Sequence, residues 1–505
     1  MFVHAAILGV AGDGDGQSPP TAAKAHRHVS GVLATRSAMA HHLATSGYQR
    51  LTQRADRFPP GVVPSQLLLR IFAILFDEKE AGLLAELPLR PFTLRQAARA
   101  WKLPERTAAG LLEGFAERAL LLDGVYRGRR LYVFSPPMAG FFEFAMMRVR
   151  GDIDQHLLAQ LLQGYVNEED EFITSLFSGP TQLGRVLVCE PALQGRRCRA
   201  VVRDQGGRAT SSPAAGVGGS AGGVSRAGGD GDVPSPDGLQ VLDHELATEI
   251  VRRARHRAVG LCYCRHKMAH LGRACDAPLE MCLSLDFAAD SLARHGHARA
   301  VDASEAVALI ERAWDLGLVQ FAENVRNSPK FICNCCSCCC DAMLAARRLA
   351  ILHPVTSAGF LPLVDDARCT GCGTCLRACP VESLSLVAAG DPLRPTAELA
   401  RVDAQTCLGC GLCVRSCAQS ALTLERRPER TLTPVNTAHR VVLQAIENGT
   451  FADLIFFQPG LATHRALAAV LGAVLRLPPL KQGLASKQLQ SRYLERLFDR
   501  PRWGY

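Results

Sequence analysis

The chain has 505 residues, of which 48% are hydrophobic and 21% charged, and a formal net charge of +9. This length predicts three or more domains, and the spread of the positive charge permits nucleic-acid contact without predicting it. The N-terminus lacks a basic segment before its apolar stretch, and the longest apolar run, 466–475, is too short to span a membrane. Twenty cysteines in such a chain are expected to be reduced thiols in the cytoplasm.

The N-terminal part begins without regular structure and then becomes helical. Residues 1–46 are rich in glycine, alanine and histidine without steady periodicity, which predicts a disordered or extended start. Residues 47–190 are predicted to form a helical region. Within residues 65–135, Thr93 is a candidate cap for one helix and Pro104 suits the first position of the next.

Two short strands are predicted after these helices, Leu120–Asp123 and Arg130–Phe134, hinged at 124–128. Helix, turn, helix and a two-stranded wing resemble a winged-helix domain, in which the second helix of DNA binders enters the major groove. The face around Arg106 offers few groups that read bases, whereas three wing arginines suit phosphate contact: Arg127, Arg129 and Arg130. Dimerisation or partner docking is the alternative role, so a homodimer is also a hypothesis.

A glycine- and serine-rich segment, 195–238, is predicted to be a flexible insertion. The cysteine-rich middle domain, 239–350, follows, in which an apolar strand at 259–261 leads into the motif CYCRH. Ten cysteines here are candidate metal ligands: Cys262, Cys264, Cys275, Cys282, Cys333, Cys335, Cys336, Cys338, Cys339 and Cys340.

These ten thiols favour a ligand role, because so many free thiols would oxidise readily. The hypotheses are an additional Fe-S centre, a structural zinc site, or thiol–disulfide chemistry beside a cluster. Backbone alternation favours one set from the last run, Cys336, Cys338 and Cys340, or the other, Cys333, Cys335 and Cys339. His266 and His270 are further candidate ligands that also fit a solvated helix face, and Arg265 would raise a cluster potential.

The most specific signal is the spacing CxxCxxCxxxC, which occurs twice, the second copy 38 residues after the first. In this spacing three thiolates bind one cubane and the fourth binds the neighbouring cluster. A pair of zinc sites is the alternative, although the fourth cysteine would then be superfluous. The candidate cofactor ligands are Cys369, Cys372, Cys375, Cys379, Cys407, Cys410, Cys413 and Cys417.

Residues 364–426 resemble a bacterial dicluster ferredoxin on these motifs, although Ala418 stands where the first copy has Pro380. The resemblance implies two 4Fe-4S clusters and, because exposed clusters oxidise, an anaerobic setting. From about residue 47 to the end, the order of the winged-helix-like region, CYCRH, CNCCSCCC and the cysteine repeat resembles a group of long, uncharacterised bacterial 4Fe-4S ferredoxin-domain proteins. The insertion at 195–238 is peculiar to this chain. Ser337 departs from the glycine that this group tends to have.

The predicted fold class is multidomain α+β: a winged-helix-like N-terminal domain, a mixed α/β middle domain, a dicluster ferredoxin-like domain and a mainly helical C-terminal region at 431–500. The leading function is an electron-transfer protein, more an oxidoreductase subunit than a stand-alone enzyme, with redox partner proteins. A redox-sensing winged-helix regulator and a cluster-dependent thiol–disulfide oxidoreductase are the alternatives. No GxGxxG lies between a strand and a helix, so nucleotide binding is not predicted.

Overall fold

The computed structural model describes residues 46–59, 61–177, 179–193, 243–349, 356–428 and 433–456, with four short strands between 201 and 241. The predictions for 1–45, for most of the insertion and for residues after 456, including the apolar stretch, lie outside these described residues. Within them the chain combines helices with antiparallel strand pairs, a mixed α and β architecture. No described helix has the length and apolar character needed to cross a membrane.

Five helices open the described chain. The Thr93 side chain accepts a hydrogen bond from the Gln96 N–H, and the Gln96 side chain accepts one from the Thr93 N–H, which completes a capping box. Pro104 precedes the fifth helix as its cap residue, one position before the predicted place. The helices are α1 (Gly47–Asp56), α2 (Gln66–Leu75), α3 (Glu78–Glu86), α4 (Leu94–Trp101) and α5 (Glu105–Glu117).

A hairpin of β1 (Leu122–Tyr126) and β2 (Arg129–Val133) follows. Its turn consists of Arg127 and Gly128, both with positive φ. The predicted hinge at residue 124 was wrong, because Gly124 lies inside β1, where a Cβ atom would overlap the Phe287 ring. Helix, helix and hairpin occur in the predicted order, and the winged-helix assignment itself stays a prediction.

The next segment packs beneath the hairpin and ends in a strand of the central sheet. Its elements are a π-type turn at Pro137–Phe141, α6 (Phe142–Met146), α7 (Gln155–Gln163), a second π-type turn at Gly164–Glu168, α8 (Asp170–Phe177), β3 (Gly184–Val186) and α9 (Glu190–Leu193). The described residues of the predicted insertion form two strand pairs: β4 (Val201–Arg203) with β5 (Ala209–Ser211), and β6 (Val233–Pro234) with β7 (Gln240–Val241).

The middle domain surrounds a six-stranded antiparallel sheet with the order β10-β8-β9-β12-β11-β3. Its sixth strand, β3, comes from before the insertion, so the sheet extends beyond the 239–350 segment. The elements are a 3₁₀ turn at Asp243–Glu245, α10 (Ala247–Arg253), β8 (Arg257–Leu261), α11 (Tyr263–His270), β9 (Glu280–Leu285), α12 (Asp286–Arg294), β10 (Arg299–Ala300), α13 (Ala303–Asp315), β11 (Val319–Glu323), β12 (Phe331–Cys335) and α14 (Asp341–Arg348).

The ferredoxin-like repeat contains two antiparallel strand pairs, β13 with β16 and β14 with β15, and two one-turn helices. The C-terminal described residues form two further helices. These elements are β13 (Phe360–Val364), α15 (Thr374–Ala378), β14 (Leu384–Ala388), β15 (Glu398–Val402), α16 (Leu412–Ser416), β16 (Leu422–Arg426), α17 (Thr437–Glu447) and α18 (Phe451–Phe456).

A buried carboxylate joins the hairpin to α12 of the middle domain. Asp123 accepts hydrogen bonds from Ser291, Arg130 and Arg294, and lies 2.9 Å from the His295 ring. Burial alone would raise the pKa of Asp123, but the hydrogen bonds from Arg294, Arg130 and His295 outweigh it and hold the pKa well below its usual range. The N-terminal hairpin is therefore docked on the cysteine-rich domain through a satisfied buried charge.

Candidate metal centres

Each cysteine motif of the repeat forms a tight loop that ends in a short helix, and glycine makes this loop possible. Gly371 and Gly409 occupy the same place in the two copies, both with positive φ. A Cβ atom at Gly409 would overlap the Phe360 carbonyl oxygen, and one at Gly371 would overlap that of Glu398. The loops therefore lie directly on neighbouring backbone, which only glycine permits.

Two small cavities lie at the two ends of the repeat, and each is lined by thiols of both motifs. One, the outer site, is lined by Cys369, Cys372, Cys375 and Cys417. The other, the inner site, is lined by Cys379, Cys407, Cys410 and Cys413. Each cavity thus receives three cysteines from one motif and the fourth cysteine from the other.

Backbone N–H groups point at several of these sulfurs. The Ser383 N–H lies 3.3 Å from the Cys379 Sγ, and the Ala421 N–H lies 3.3 Å from the Cys417 Sγ, so the fourth cysteine of each motif receives the same contact. Gly409 N–H donates to Cys407 at 3.4 Å. Such hydrogen bonds to sulfur raise the reduction potential of a bound cluster.

The two sites differ in burial. Cys372 of the outer site is exposed, whereas Cys407, Cys410 and Cys413 of the inner site are buried. Burial raises the pKa of the Cys410 thiol above its usual range, while hydrogen bonds from Thr374 lower that of Cys372. The outer site therefore faces solvent, and the inner site faces the rest of the protein.

The inner site is fastened to the middle domain by backbone contacts. The Cys189 N–H donates to the Cys410 carbonyl at 2.8 Å, and the Ala358 N–H donates to the Leu408 carbonyl at 2.9 Å. Arg415, on α16, forms an ion pair with Asp315 at the end of α13 at 2.7 Å. These contacts hold the second motif against the central sheet.

Six of the middle-domain cysteines form one group, in which the pKa of each thiol is shifted by two of the others, so that the pairs close into a ring. Four elements and their ends supply them: α11, β9, β12 and the start of α14. The six-thiol group, in ring order, is Cys262, Cys264, Cys340, Cys335, Cys333 and Cys282. Hydrogen bonds from Cys264 and Cys282, with the charge of Arg265, hold the pKa of Cys262 below that of an ordinary thiol.

The other four thiols form a separate group. The four-thiol group consists of Cys275, Cys336, Cys338 and Cys339, whose Sγ atoms all lie within 4.8 Å of one another. The Cys338 and Cys339 sulfurs are 3.7 Å apart, and those of Cys339 and Cys275 are 3.9 Å apart. Cys275 comes from the loop between α11 and β9, and the others come from the turn between β12 and α14.

Both groupings that alternation favoured for the last cysteine run were wrong. Cys333 and Cys335 do share a face of β12, but they are joined by Cys340, whereas Cys339 joins Cys336 and Cys338. The strand ends at Cys335 and residues 337–339 form a turn, so strict alternation stops there.

Arg265 lies between the two groups. Its side chain is fully buried and donates to the Asn334 and Pro278 carbonyl oxygens. Burial alone lowers the pKa of Arg265, but the neighbouring thiols of Cys262, Cys282 and Cys336 raise it above its usual range. A buried cation between clustered thiols favours their thiolate forms, which are the forms that bind metals.

Neither candidate histidine ligand lies in a thiol group. The Nδ1 of His266 lies 2.7 Å from the Met146 carbonyl oxygen, and the His270 ring packs against the His266 ring with centroids 4.8 Å apart. His266 instead helps to join α11 to the N-terminal half of the chain.

All six cysteines of the six-thiol group, together with Cys336 of the four-thiol group, line a cavity of about 1250 Å³ whose walls are mainly apolar. Polar groups also reach its wall, among them Glu143, Tyr263 and Asp341. Burial raises the pKa of Glu143 to about 8, although the Ala139 and Gly140 N–H groups donate to its carboxylate. The cavity thus combines thiols with a carboxylic acid.

Sequence reasoning missed Glu143 and Cys189 as neighbours of the candidate centres. Glu143 lies in a phenylalanine- and methionine-rich segment that indicates core packing, and a charge inside such a segment was the available signal. Cys189 is a lone cysteine far from the motifs, and only its backbone contact with Cys410 brings it to the inner site.

The hairpin arginines are partly engaged within the protein. Arg130 pairs with Asp123 at 2.6 Å and with Glu113 at 2.9 Å, whereas Arg127, Arg129 and Arg106 are exposed. Of the four arginines considered for this region, three are thus exposed and without an ion pair to Asp123. DNA binding and dimerisation by this region stay predictions.

Comparison with known proteins identifies a known type of domain in one part of the chain. Residues 368–421 match the family model of the 4Fe-4S dicluster domain. No curated protein and no solved structure matches the chain. The chain therefore contains a 4Fe-4S dicluster domain, which binds iron–sulfur cofactors for electron transfer.

Proposed function

We propose that the protein is an electron-transfer protein or subunit that binds two 4Fe-4S clusters in its dicluster domain and an additional Fe-S centre at the six-thiol group. Bound 4Fe-4S clusters supply reversible one-electron transfer. The observation that carries the proposal is one continuous buried apolar cluster that includes Cys410 of the inner site and Cys335 and Cys340 of the six-thiol group.

The thiols divide naturally between the two clusters. The outer site would bind one cluster through Cys369, Cys372, Cys375 and Cys417. The inner site would bind the other through Cys379, Cys407, Cys410 and Cys413. The crossed supply of the fourth cysteine supports this division, because it is typical of two-cluster ferredoxins.

The difference in burial supports a direction through the molecule. Cys372 is exposed, so a redox partner protein would dock at the outer site. The inner site packs against the central sheet through Cys189 and Ala358. A partner on the outside and the six-thiol group on the inside would therefore be the two ends of the electron path.

Six thiols exceed the four that one cubane takes, so the middle-domain centre is expected to be larger than a cubane or to leave thiols free. One shared site is supported because all six cysteines line the same cavity and the pKa of each thiol is shifted by two others of the group. Arg265 would balance part of its negative charge.

The cavity favours a second candidate, a cluster-dependent thiol–disulfide oxidoreductase. Its volume of about 1250 Å³ is larger than the roughly 300–1,000 Å³ that is common for small-molecule sites, so the cavity has room for a small disulfide substrate beside the thiols. Reduction of a disulfide to two thiols consumes two electrons and two protons. The partner at the outer site would supply the electrons, and Glu143 at the cavity wall is a suitable proton donor.

The test is an iron and acid-labile sulfide count on protein purified without oxygen. We expect about twelve irons or more per chain in the wild type, and about eight in Cys282→Ser with both 4Fe-4S signals retained in electron paramagnetic resonance. Cys372→Ser is the matched control, in which the outer-site signal alone is altered. About eight irons in both the wild type and Cys282→Ser would contradict the additional centre.

The second candidate needs a separate assay. Reduced protein should cleave a small aromatic disulfide, and Cys282→Ser should lose this turnover while Ser385→Ala, a change at an exposed position of β14, keeps it. Equal turnover in wild type and Cys282→Ser would contradict disulfide chemistry at the cavity.

A further inference from the structure

The four-thiol group differs from the six-thiol group in the pattern of its contacts. The Sγ atoms of its four cysteines all lie within 4.8 Å of one another, so they form a compact cluster of sulfurs. Among the described residues, the six-thiol group does not close to this distance throughout. Four sulfurs this close together can surround one point, and the group therefore suits a single ion.

The distances also discriminate between a single ion and a cubane. Four sulfurs at about 2.3 Å from one tetrahedral zinc ion lie about 3.8 Å from one another. Two of the six Sγ separations, 3.7 and 3.9 Å, match this spacing, and all six are at most 4.8 Å. A cubane binds each thiolate at a different iron, so its ligand sulfurs lie about 6 Å apart.

The dicluster domain of the same chain provides an internal comparison. Among the described residues, Cys275, Cys336, Cys338 and Cys339 are the one group of potential ligands that closes to within 4.8 Å throughout. The thiols of the outer and inner sites surround small cavities instead. The two kinds of site therefore differ in how closely their thiols approach one another. This difference is expected if one binds a single ion and the other binds a cluster.

The surroundings are those of a structural ion. Cys336 and Cys339 are buried in a small apolar cluster with Met268, Met281 and Leu318, separate from the core that contains Cys335 and Cys340. Four thiolates on a divalent ion carry a net charge of −2. The positive charge of the buried Arg265 guanidinium acts on the Cys336 thiol and offsets part of that charge.

We propose that Cys275, Cys336, Cys338 and Cys339 bind one zinc ion tetrahedrally, separately from every Fe-S centre. The ion ties the loop after α11 to the turn before α14. Because zinc has no redox chemistry in proteins, this site positions the six-thiol group from behind and does not carry electrons.

The experiment is metal analysis of the full chain, purified without oxygen, with X-ray absorption at the zinc edge. We expect about one zinc per chain bound by four sulfurs at about 2.3 Å. Cys275→Ser should lower zinc to less than about 0.2 per chain and leave the iron content unchanged. Cys282→Ser is the matched control and should lower iron while zinc stays at about one.

Cys275→His keeps the test decisive if the serine variant does not fold, because histidine also binds zinc and should retain it with one nitrogen in the ligand shell. Wild-type protein without stoichiometric zinc would overturn the proposal. So would a loss of about four irons, or of one iron, in Cys275→Ser. The zinc result is independent of the iron count, so either proposal can fail alone.

Discussion

The dicluster domain and the middle domain both collect cysteines, but they do so by different means. In the dicluster domain each cavity takes three thiols from one short loop and one thiol from the partner motif. In the middle domain the thiols come from loops, strands and helix starts spread from Cys262 to Cys340. Short-range spacing therefore organises the first region, and sheet packing organises the second.

The two regions also hold their charges differently. Lys267 and Asp341 form an ion pair beside the six-thiol group with side-chain exposures of 0% and 2%. Arg401 and Asp366 pair on the surface of the dicluster domain, with 44% and 55% exposed. The ion pair beside the six-thiol group is thus buried, whereas this pair of the dicluster domain is exposed to solvent.

The largest expected effect tests this contrast in charge. Lys267→Met removes the partner of a buried carboxylate and should lower the free energy of unfolding by about 3–5 kcal/mol. The matched change Arg401→Met should give no measurable difference, because solvent screens an exposed pair. Urea unfolding under anaerobic conditions measures both. A similar response of the two variants would contradict the distinction.

Gly409→Ala tests the dependence on backbone loops. Its Cβ atom would overlap the Phe360 carbonyl oxygen and would hold alanine at a positive φ of 69°. We expect the free energy of unfolding to fall by about 3 kcal/mol and the iron bound at the inner site to be lost.

Gly390→Ala is the control for this change. Gly390 has a φ of 67° but no atom within 4 Å of its Cβ position, so only the conformational cost of about 1 kcal/mol applies. Equal losses in the two alanine variants would show that loop contact with the Phe360 backbone does not matter.

His297 makes the junction between the N-terminal half and the middle domain sensitive to pH. Its Nε2 lies 2.9 Å from the Glu117 carbonyl oxygen, and burial lowers its pKa to about 4. The unfolded chain, with a histidine pKa of about 6.5, binds the proton more tightly. Stability is therefore complete above pH 6.5 and falls toward pH 4, by about 2 kcal/mol between pH 7 and pH 5.

The measurement compares unfolding of the wild type and of His297→Gln across this pH range. The free energy of unfolding of the variant should depend less steeply on pH between pH 7 and pH 5, because glutamine does not titrate. An identical pH dependence of the free energy of unfolding in both proteins would show that His297 does not cause the loss of stability.

The smallest expected effect is a shift in the reduction potentials of the inner and outer sites. The Ser383 hydroxyl lies 3.3 Å from the Cys379 sulfur in a buried position. Loss of this donor in Ser383→Ala should lower the inner-cluster reduction potential by a few tens of millivolts. Thr374→Val, at the exposed outer site, should shift its potential less, because water can replace the hydroxyl. A redox titration followed by electron paramagnetic resonance measures both reduction potentials. A larger shift at the outer site than at the inner site would contradict this order.

Several elements of the fold followed from local sequence. The helix cap at Thr93 occurs where the sequence predicts it, and the strand that leads into Cys262 includes the predicted residues 259–261. The predicted hairpin ends are wrong, because the sequence pattern places Gly124 in the turn, whereas packing against Phe287 is what requires glycine there. A glycine can serve a turn or a close contact, and sequence alone does not separate these uses.

The sequence by itself determined the dicluster domain, because its cysteine spacing sets both loops and its glycines permit their close approach. The division of the other ten cysteines into a group of six and a group of four was decided only by the tertiary structure. That division depends on the faces of β12, on the turn after Cys335 and on the loop that carries Cys275 to the opposite side. Contacts between residues this far apart follow from sheet packing, which no local pattern encodes.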